Sequence, residues 1–353
     1  MSGSAFTSRV LAWYQRHQRD LPWRHTSDPY KIWLSEIILQ QTRVAQGLPY
    51  YQAFVKRYPT VKKLAAAPPD EVLRLWQGLG YYSRARNLHA CAKEIVNSHN
   101  GTFPTTYQNL LQLPGVGSYT AAAIASFAFS EPVAVVDGNV FRVLARVFGL
   151  TDDIASTKGK KIFFEKANQL ISKTQPAQYN QAVMEFGALQ CTPVNPACAT
   201  CPLAHLCIAN QQNLQSQLPV KTNRVKIKTR HFYYLVVRNG SHLYLRKRLP
   251  GDIWSGLYDF YLVEEKKATP VQQVLKKLKL KFANTRVRAG YRHILSHQKL
   301  AVTFIELEAN AAQVSALKEN GYKLYSGKQI EKLPKPVLIL RYLHDVGYLK
   351  KAK

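Results

Sequence analysis

Four of the five cysteines of this 353-residue chain lie between residues 191 and 207. Cys191, Cys198, Cys201 and Cys207 are separated by six, two and five residues, so their thiolates can close one short loop around a metal centre. These soft ligands suit a zinc ion or an iron–sulfur cluster, and softness alone leaves both open. The total of five is odd and four of the cysteines are clustered, so in a reducing compartment we expect a metal site rather than disulfides. We interpret the separate Cys91 as a small buried hydrophobe.

The net charge of the chain indicates which class of partner it binds. The chain carries 49 Lys and Arg against 21 Asp and Glu, a formal net charge of +28. This excess predicts a polyanionic partner, nucleic acid first and an anionic membrane surface second. A hydrophobic fraction of 46% excludes a disordered or collagen-like chain. The sequence shows neither a signal-peptide pattern nor the ~18 apolar residues of a spanning helix, so we expect a cytoplasmic protein.

The two ends of the chain differ in hydrophobic periodicity. Apolar residues at helical spacing predict an all-α domain over residues 1–215. A hairpin signal at Asn239-Gly240, a further β run near residue 300 and an amphipathic helix near residue 271 predict an α+β domain over residues 230–353. The chain is therefore predicted to fold as two domains of different class.

The segment between these domains is polar and then basic. Residues 216–229 are predicted to be an interdomain linker, with a solvated spacer as the alternative to a nucleic-acid contact. Residues 221–353 hold 28 basic and 9 acidic side chains, so most of the excess charge lies in this part of the chain. Its first basic residues are Lys221, Arg224, Lys226, Lys228 and Arg230.

A short glycine-rich turn precedes an apolar helix near residue 118. In Leu113-Pro114-Gly115-Val116-Gly117-Ser118, two glycines bracket one residue, so a tight turn can present backbone N–H groups to a phosphate at the helix start. Any turn between helices can use glycine in this way. The pattern indicates phosphate binding only in combination with other features.

Two acidic residues stand in contrasting surroundings. Asp137 precedes Gly138-Asn139 and a helical run, as an N-cap does, and a helix N-terminus favours an ionised carboxylate. Glu36 lies in an apolar helical segment, where desolvation favours the neutral, proton-donating form. The alternatives are that Asp137 only caps the helix, and that Glu36 is either a buried acid whose hydrogen bonds are satisfied or a surface residue at the helix edge. Together the pair matches the division between acid and electrostatic stabiliser in glycosidic bond cleavage.

These motifs carry a resemblance to a known family. The cysteine spacing and the hairpin resemble those of the endonuclease III superfamily of DNA glycosylases, which implies a [4Fe–4S] cluster. Residues 20–45, 76–89, 113–149, 181–207 and 291–297 resemble the MutY-type adenine DNA glycosylases. The resemblance implies a helix-hairpin-helix glycosylase domain followed by a Nudix-like domain. It also implies, as partner, duplex DNA with adenine opposite 8-oxoguanine or guanine, bound by a monomer.

The resemblance also implies roles for individual residues. Glu36 is expected to protonate adenine, Asp137 to face the anomeric carbon, and Asn139 to position the site. The resemblance further implies which residues contact the DNA or line the base pocket. These are Trp23 and Arg24 at the adenine, Gln41 and Thr42 at the lesion pair, Leu79 and an intercalating Tyr81 in the segment that inserts into the duplex, and Gly115, Val116 and Gly117 at a phosphate.

Tyr119 separates this chain from the lyase members of the superfamily. A lysine at this position attacks the sugar in those enzymes, whereas a phenol cannot form a Schiff base. The resemblance therefore implies a monofunctional glycosylase in which Tyr119 assists, and hairpin packing of Tyr119 is the alternative.

The C-terminal part resembles the family's lesion-recognition domain through residues 254–260 and 292–297. Ser296 and His297 are the implied lesion-reading pair. Leu295 departs from the family's usual Phe, and residues 192–197 of the cysteine loop carry no Lys or Arg. The helix nearest to an acidic Nudix box carries Lys276, Lys277, Lys279 and Lys281, which argues against pyrophosphatase activity.

Two rival functions follow from parts of the pattern. A lyase-type pyrimidine glycosylase shares the hairpin and the cysteines, but Tyr119 and the added β-rich domain disfavour it. An inert iron–sulfur DNA-binding or redox-sensing protein shares the cysteines and the charge, but it has no need of Glu36 and Asp137 together.

Overall fold

The computed structural model describes residues 3–222, 227–278, 285–308 and 311–350. The chain divides into two compact units. The first unit comprises Met1–Ala66 and Asn87–Asn223, and the second comprises Ala67–Arg86 and Arg224–Lys353. Residues 67–86 lie within the range predicted for the helical domain, yet they pack with the C-terminal residues.

Residues 3–222 are helical, as their periodicity predicts. No helix in the described part of the chain is long and apolar enough to cross a membrane. The helices are α1 Gly3–His17, α2 Pro29–Leu39, α3 Val44–Arg57, α4 Val61–Ala65, α5 Pro69–Leu75, α6 Ser83–His99, α7 Tyr107–Leu110, α8 Ser118–Phe129, α9 Gly138–Phe148, α10 Thr157–Leu170, α11 Pro176–Leu189 and α12 Ile208–Gln211. Of these, α5 and the first residues of α6 belong to the second unit.

Helix α11 lies at the centre of the first unit. It packs against α1, α8 and α9, and α8 also packs against α2. Buried apolar side chains from α1, α9, α10 and α11 form one core, in which Phe6, Val143, Phe163 and Ala182 have no exposed surface. Burial of this apolar area is the main favourable term in folding. The packing brings α2, α8, α9 and α11 around one cavity.

The segment predicted as a linker is ordered where the structure describes it. Leu218 is 4% exposed in the core of the first unit, and Val220 O accepts from Ile154 N at 3.1 Å. Leu218 and Val220 are therefore held against the helices of the first unit, whereas Ser216, Gln217, Lys221 and Thr222 are exposed. Arg224 and Lys226 of the predicted basic edge lie outside the described residues.

The C-terminal residues of the second unit form a mixed sheet with helices. Strands β1 and β2 make the predicted hairpin, in which Asn239 pairs with His242. β1 and β6 run parallel, and β5 pairs antiparallel with β6. The remaining elements are β1 Lys228–Asn239, β2 His242–Lys247, β3 Tyr258–Asp259, β4 Tyr261–Glu265, α13 Val271–Lys277, β5 Arg286–Leu295, β6 Gln298–Glu308, α14 Ala311–Glu319, β7 Lys323–Tyr325, α15 Gly327–Lys332 and α16 Val337–Asp345.

Polar contacts fix residues 67–86 to this sheet. Arg86 Nη1 donates to Ser255 O at 2.8 Å, and Lys335 N donates to Gln77 Oε1 at 3.1 Å. Asp70 forms an ion pair with Lys247. The intercalating segment predicted from the sequence is therefore supported by C-terminal strands and loops.

Candidate active site

The first unit contains a cavity of about 200 Å³. Seven of the residues singled out in the sequence line it, namely Trp23, Arg24, Glu36, Thr42, Tyr119, Asp137 and Asn139. The remaining wall is Arg19, Leu21, Ile32, Ser35, Leu39, Val44, Phe127, Gln181, Met184, Glu185 and Ala188. The predicted catalytic residues Glu36, Tyr119, Asp137 and Asn139 are thus brought together from three helices, α2, α8 and α9, that are far apart in sequence.

Glu36 reaches the cavity from α2. Asp28 caps this helix by accepting from Tyr30 N at 2.9 Å, and Pro29 occupies the first turn, where a missing N–H costs nothing. Glu36 is 7% exposed, and burial raises its pKa to about 7. The predicted desolvation of this acid is confirmed, so an appreciable protonated fraction exists at neutral pH.

Tyr119 approaches Glu36 from the first turn of α8. Its hydroxyl donates to Glu36 Oε2 at 2.7 Å. Burial and the neighbouring carboxylates hold the pKa of Tyr119 well above its ordinary value, so the hydroxyl keeps its proton. This hydrogen bond favours the charged form of Glu36 and opposes the effect of burial on the Glu36 pKa.

Asp137 is the N-cap of α9, as predicted. Its Oδ1 accepts from Asn139 N at 2.9 Å and Val140 N at 2.8 Å, and its Oδ2 accepts from Asn139 Nδ2 at 2.8 Å. These donors lower the pKa of Asp137, but burial outweighs them and leaves it raised. The sequence predicts this cap, whereas the raised pKa comes from burial, a tertiary effect that the local pattern does not contain.

Two side-chain amides, one buried and one half-buried, hold the segment that leads to Asp137. Asn180, on α11, accepts from Val135 N at 3.0 Å and donates to Val133 O at 2.9 Å. Asn168, on α10, accepts from Ala134 N at 2.9 Å. The backbone before the cap is therefore fixed by two helices, which fixes the position of the carboxylate.

Asn139 links Asp137 to the cysteine loop through Arg142. Arg142 Nη2 donates to Asn139 Oδ1 at 2.8 Å and its Nε donates to Cys191 O at 2.7 Å. Gly187 permits α11 to approach here, because a Cβ at this position would lie 2.6 Å from Asn139 Cβ. A continuous series of hydrogen bonds thus connects the backbone of a predicted metal ligand with the carboxylate in the cavity.

The cavity wall holds a third acidic residue, Glu185, which is not among the residues predicted from the sequence. Glu185 is 1% exposed and accepts from Arg19 Nη2 at 2.6 Å and Arg24 Nη2 at 2.8 Å. These arginines lower the pKa of Glu185 to about 2. Glu185 lies in an otherwise apolar part of α11, and this setting was the one available signal.

The four clustered cysteines surround a second cavity, which they line together with Arg146. In the described part of the chain, no three His, Cys, Asp or Glu side chains gather closely enough for a single metal ion. Arg146 donates to Thr192 O at 2.7 Å and Gln215 O at 2.6 Å, and its Nη1 lies 3.5 Å from Cys191 Sγ. Four thiolates around one cavity, with a cation beside them, fit an anionic cluster with all four ligands supplied by the chain.

The glycine turn lies between α7 and α8. Gly115 has a φ of +74°, and a Cβ there would lie 2.6 Å from Asn87 Cβ, so this position requires glycine. Gly117 is the N-cap residue of α8, and Val116 N donates to Leu113 O at 3.1 Å. The predicted helix-hairpin-helix arrangement is confirmed. The turn is not part of the cavity wall.

The remaining predicted DNA contacts lie outside the cavity. Gln41 is exposed with a φ of +54°, next to Thr42 in the wall. In the second unit, Tyr81 is 45% exposed and Leu79 only 6%. Ser296 and His297 are exposed and form the turn that joins β5 to β6. Among the basic helix residues, Lys276 and Lys277 lie in α13, and Lys279 and Lys281 lie outside the described residues.

Three family models match separate parts of the chain. Residues 34–173 match the HhH-GPD superfamily of base excision DNA repair proteins. Residues 191–207 match the iron-sulfur binding domain of endonuclease III, and residues 233–345 match the NUDIX domain. The fold is therefore a helix-hairpin-helix glycosylase domain followed by a Nudix-like domain, and the four cysteines bind a [4Fe–4S] cluster.

Individual proteins extend this likeness. A thermostable thymine-DNA glycosylase of known structure is 31% identical with a TM-score of 0.55, and the match covers 60% of this chain and 97% of that one. Human adenine DNA glycosylase is 45% identical over 61% of this chain, a match that spans 41% of the human protein. Adenine DNA glycosylase of Buchnera aphidicola subsp. Baizongia pistaciae is 34% identical over 96% of both chains. The chain belongs to the adenine DNA glycosylase family of base excision repair enzymes.

Proposed function

We propose that this enzyme hydrolyses the N-glycosidic bond of adenine opposite 8-oxoguanine or guanine in duplex DNA, without a lyase step. The observation that carries the proposal is a cavity in which Glu36, with a pKa of about 7, lies in the same wall as Asp137. The bond is buried in a base stack, so the adenine must be flipped out to reach a cavity of this kind.

Glu36 supplies the proton for the leaving base. Near neutral pH an appreciable fraction of Glu36 is protonated, and this fraction can donate to a ring nitrogen of adenine. Protonation makes adenine a better leaving group, because the electrons of the broken bond pass to a cationic base, which departs as neutral adenine. Tyr119, which keeps its own proton, orients the Glu36 carboxyl through the bond to Oε2.

Asp137 stabilises the positive charge that develops on the sugar. The Asp137 oxygens are the acceptors in its hydrogen bonds with Asn139 and Val140, and this arrangement suits the charged form of the carboxylate. A carboxylate held by fixed donors reorganises little when positive charge develops beside it. This low reorganisation cost is the main source of electrostatic catalysis in enzymes. Water then adds to the anomeric carbon and completes the hydrolysis.

The wall residues suit a glycosylase without lyase chemistry. No lysine lines the cavity in the part of the chain that the structure describes. The position at which the lyases carry their amine is Tyr119, and a phenol forms no Schiff base.

The [4Fe–4S] cluster, held by Cys191, Cys198, Cys201 and Cys207, crosslinks its loop in this proposal. All four ligands come from the chain, so no coordination position is assigned to the substrate. Arg146 and Arg142 connect the loop to α9, the helix that Asp137 caps.

The second unit reads the lesion in this proposal. Ser296 and His297 form an exposed turn, and Tyr81 is an exposed ring in the same unit. The positive charge of residues 221–353 supplies sequence-independent attraction to phosphates. We infer that one copy of the chain acts on DNA, with Gly115, Val116 and Gly117 at a phosphate, in the cytoplasm.

The catalytic part is tested with Glu36→Gln in single-turnover reactions on duplexes with adenine opposite 8-oxoguanine, cleaved afterwards with alkali. We expect a loss of about 10²–10⁴ in rate with DNA binding kept, because the amide fills the same space and cannot donate a carboxyl proton. Glu165→Gln is the control, since Glu165 is an exposed helix residue paired with Lys161. A near-normal rate for Glu36→Gln refutes the acid role.

Lesion reading is tested with the double variant Ser296→Ala and His297→Ala. The chain offers a matched control, because Ser241 and His242 form a second Ser–His pair at the hairpin that joins β1 to β2. We expect the first variant alone to lose the preference for 8-oxoguanine over guanine, with an unchanged dependence of binding on salt. If both variants prefer 8-oxoguanine over guanine as strongly as the parent does, this turn does not recognise the lesion. Leu295, which departs from the family's usual Phe, would then indicate that this protein uses another contact.

A further inference from the structure

The loop that carries Tyr81 presents one aromatic ring to solvent and buries its neighbours. Tyr81 is 45% exposed, whereas Leu79 and Tyr82 are each 6% exposed. The backbone of Tyr81 is left-handed, with a φ of +45°, and Gly80 before it has a φ of +74°. A bulky residue rarely adopts this conformation, so contacts elsewhere in the loop must hold it.

Trp76 provides a fixed base for the loop. Its ring has no exposed surface, and its Nε1 donates to Gly80 O at 3.0 Å. This bond anchors the residue immediately before Tyr81.

Arg84 lies between the two rings. Its guanidinium carbon is 5.0 Å from the centroid of the Trp76 ring and 5.6 Å from that of Tyr81. Its Nη2 also lies 3.4 Å from Leu79 O and 3.5 Å from Gly80 O, the acceptors of two long hydrogen bonds. The side chain is 9% exposed, so these cation–π contacts form away from bulk water, where they are strongest.

The far end of Tyr81 has a second contact. Its hydroxyl is hydrogen-bonded to the hydroxyl of Ser296. If Ser296 contacts the lesion, its hydrogen bond to Tyr81 must break when DNA binds. The Arg84 guanidinium then remains as the described contact with the face of the Tyr81 ring.

We propose that Arg84 is a positioning residue for DNA recognition, which holds the Tyr81 ring outward in the orientation needed to insert between base pairs. This inference rests on the proposed function, because that function assigns Tyr81 as the intercalating side chain. Arg84 has no role in the chemistry of the cavity. In this proposal its effect on DNA binding passes through Tyr81, and this dependence distinguishes a positioning role from mere stabilisation of the fold.

The planar guanidinium is what the position requires. It can stack on two aromatic faces at once and direct N–H groups to two carbonyls, whereas an ammonium is a compact charge without a flat face. Lysine should therefore restore the charge at this position and only part of the ring orientation.

The test is a double-mutant cycle of Arg84→Met and Tyr81→Leu. The duplex carries 2-aminopurine beside an adenine opposite 8-oxoguanine, so that fluorescence reports unstacking of the DNA independently of base excision. We expect each single variant to reduce the fluorescence change and the affinity for this duplex by about 3- to 30-fold, the range of a desolvated cation–π contact. The double variant should be no worse than Tyr81→Leu alone, and Arg84→Lys should recover part of the loss.

Arg86→Met is the matched control. Arg86 lies two residues further along α6, is also partly buried, and donates to Ser255 O rather than to the loop. Its effect should add to that of Tyr81→Leu, as expected for residues without a shared contact.

The possible failures are distinguishable. If Tyr81→Leu leaves unstacking and affinity unchanged, the intercalating role in the proposed function is wrong, and this inference falls with it. If Tyr81→Leu acts as expected but Arg84→Met has no effect, or its effect adds to that of Tyr81→Leu, the positioning role alone is overturned.

Discussion

The hydroxyl of Tyr119 donates to Glu36 Oε2 at 2.7 Å, and both side chains line the same cavity. Burial and this hydrogen bond act on the Glu36 pKa in opposite directions, and burial is the larger effect. The result is a pKa of about 7, close to neutral pH, where a general acid combines availability of its proton with driving force for its transfer. In the proposed mechanism, Tyr119 therefore influences which fraction of Glu36 is protonated and able to act at a given pH.

We expect Tyr119→Phe to move the alkaline limb of the pH–rate profile to higher pH. Glu36 acts in its protonated form, so the rate falls as pH rises through its pKa of about 7. The variant removes a donor that favours the carboxylate, which raises the Glu36 pKa and shifts the limb upward. Single-turnover rates between about pH 5.5 and pH 9 measure this shift. A limb that stays in place, or moves to lower pH, contradicts the assignment.

Borohydride trapping tests the absence of lyase chemistry. The native protein should trap no Schiff base on adenine-containing DNA, because Tyr119 carries no amine. Tyr119→Lys places an amine in the cavity wall and should give trapped complex, whereas Tyr107→Lys, at the start of α7 and outside that wall, should not. Efficient trapping of the native protein would overturn the monofunctional proposal.

The sequence predicted those features of the site that depend on local patterns. The apolar surroundings of Glu36 in α2 predicted its burial, and Asp137 before Gly138-Asn139 predicted the cap of α9. Cysteine spacing predicted one metal loop. Each of these signals lies within a few residues of the group concerned.

Features that depend on distant segments were not predictable from one sequence. Glu185 became part of the cavity because Arg19 and Arg24, more than 160 residues away, turn toward it. The raised pKa of Asp137 is a second effect of this kind, because burial in the folded unit outweighs the local donors of its cap. The packing of residues 67–86 with C-terminal residues is a further long-range result, and no periodicity within that segment indicates it.

The bond from Arg142 to Cys191 O predicts that disturbing the cysteine loop affects the cavity. Arg142→Gln removes the donors to Cys191 O and Asn139 Oδ1, and Asn139 then holds Asp137 less firmly. We expect a loss of about 10- to 100-fold in the single-turnover rate, the usual effect of removing an outer-shell partner. Rates are compared per iron-loaded protein, with iron and sulfide measured for each preparation.

Arg9→Gln is the control for this prediction. Arg9 Nη1 donates to Pro202 O at 2.8 Å, so it holds the cysteine loop without touching Asn139. We expect chelators to remove iron faster from both variants, and the iron-loaded Arg9→Gln protein to keep its rate. If both iron-loaded variants lose rate equally, the loop acts on the cavity by general loosening rather than through Arg142.

A buried lysine in the second unit gives a stability prediction. The Lys335 side chain has no exposed surface, and its Nζ donates to Leu333 O at 2.8 Å and Glu331 O at 3.4 Å. Burial lowers the pKa of Lys335 to about 7, with nearby Arg74 acting in the same direction. Uncharged carbonyl partners do not replace the hydration that an ammonium loses.

The sign of the pH dependence follows from the two protonation states. An unfolded lysine has a pKa of about 10.4, so between about pH 7 and pH 10 the unfolded chain binds more protons at Lys335 than the folded one. Stability from this group therefore rises with pH across that window and is flat below it. We expect Lys335→Met to remove this rise and to stabilise the protein by about 1–3 kcal/mol at neutral pH, because an apolar side chain of similar length needs no solvation. Urea unfolding at pH 6, 7.5 and 9, beside the exposed control Lys332→Met, measures both effects. A Lys335→Met protein that is less stable than the parent would show that the two carbonyl hydrogen bonds outweigh the cost of burying the amine. An unchanged pH slope would assign that slope to other titratable groups.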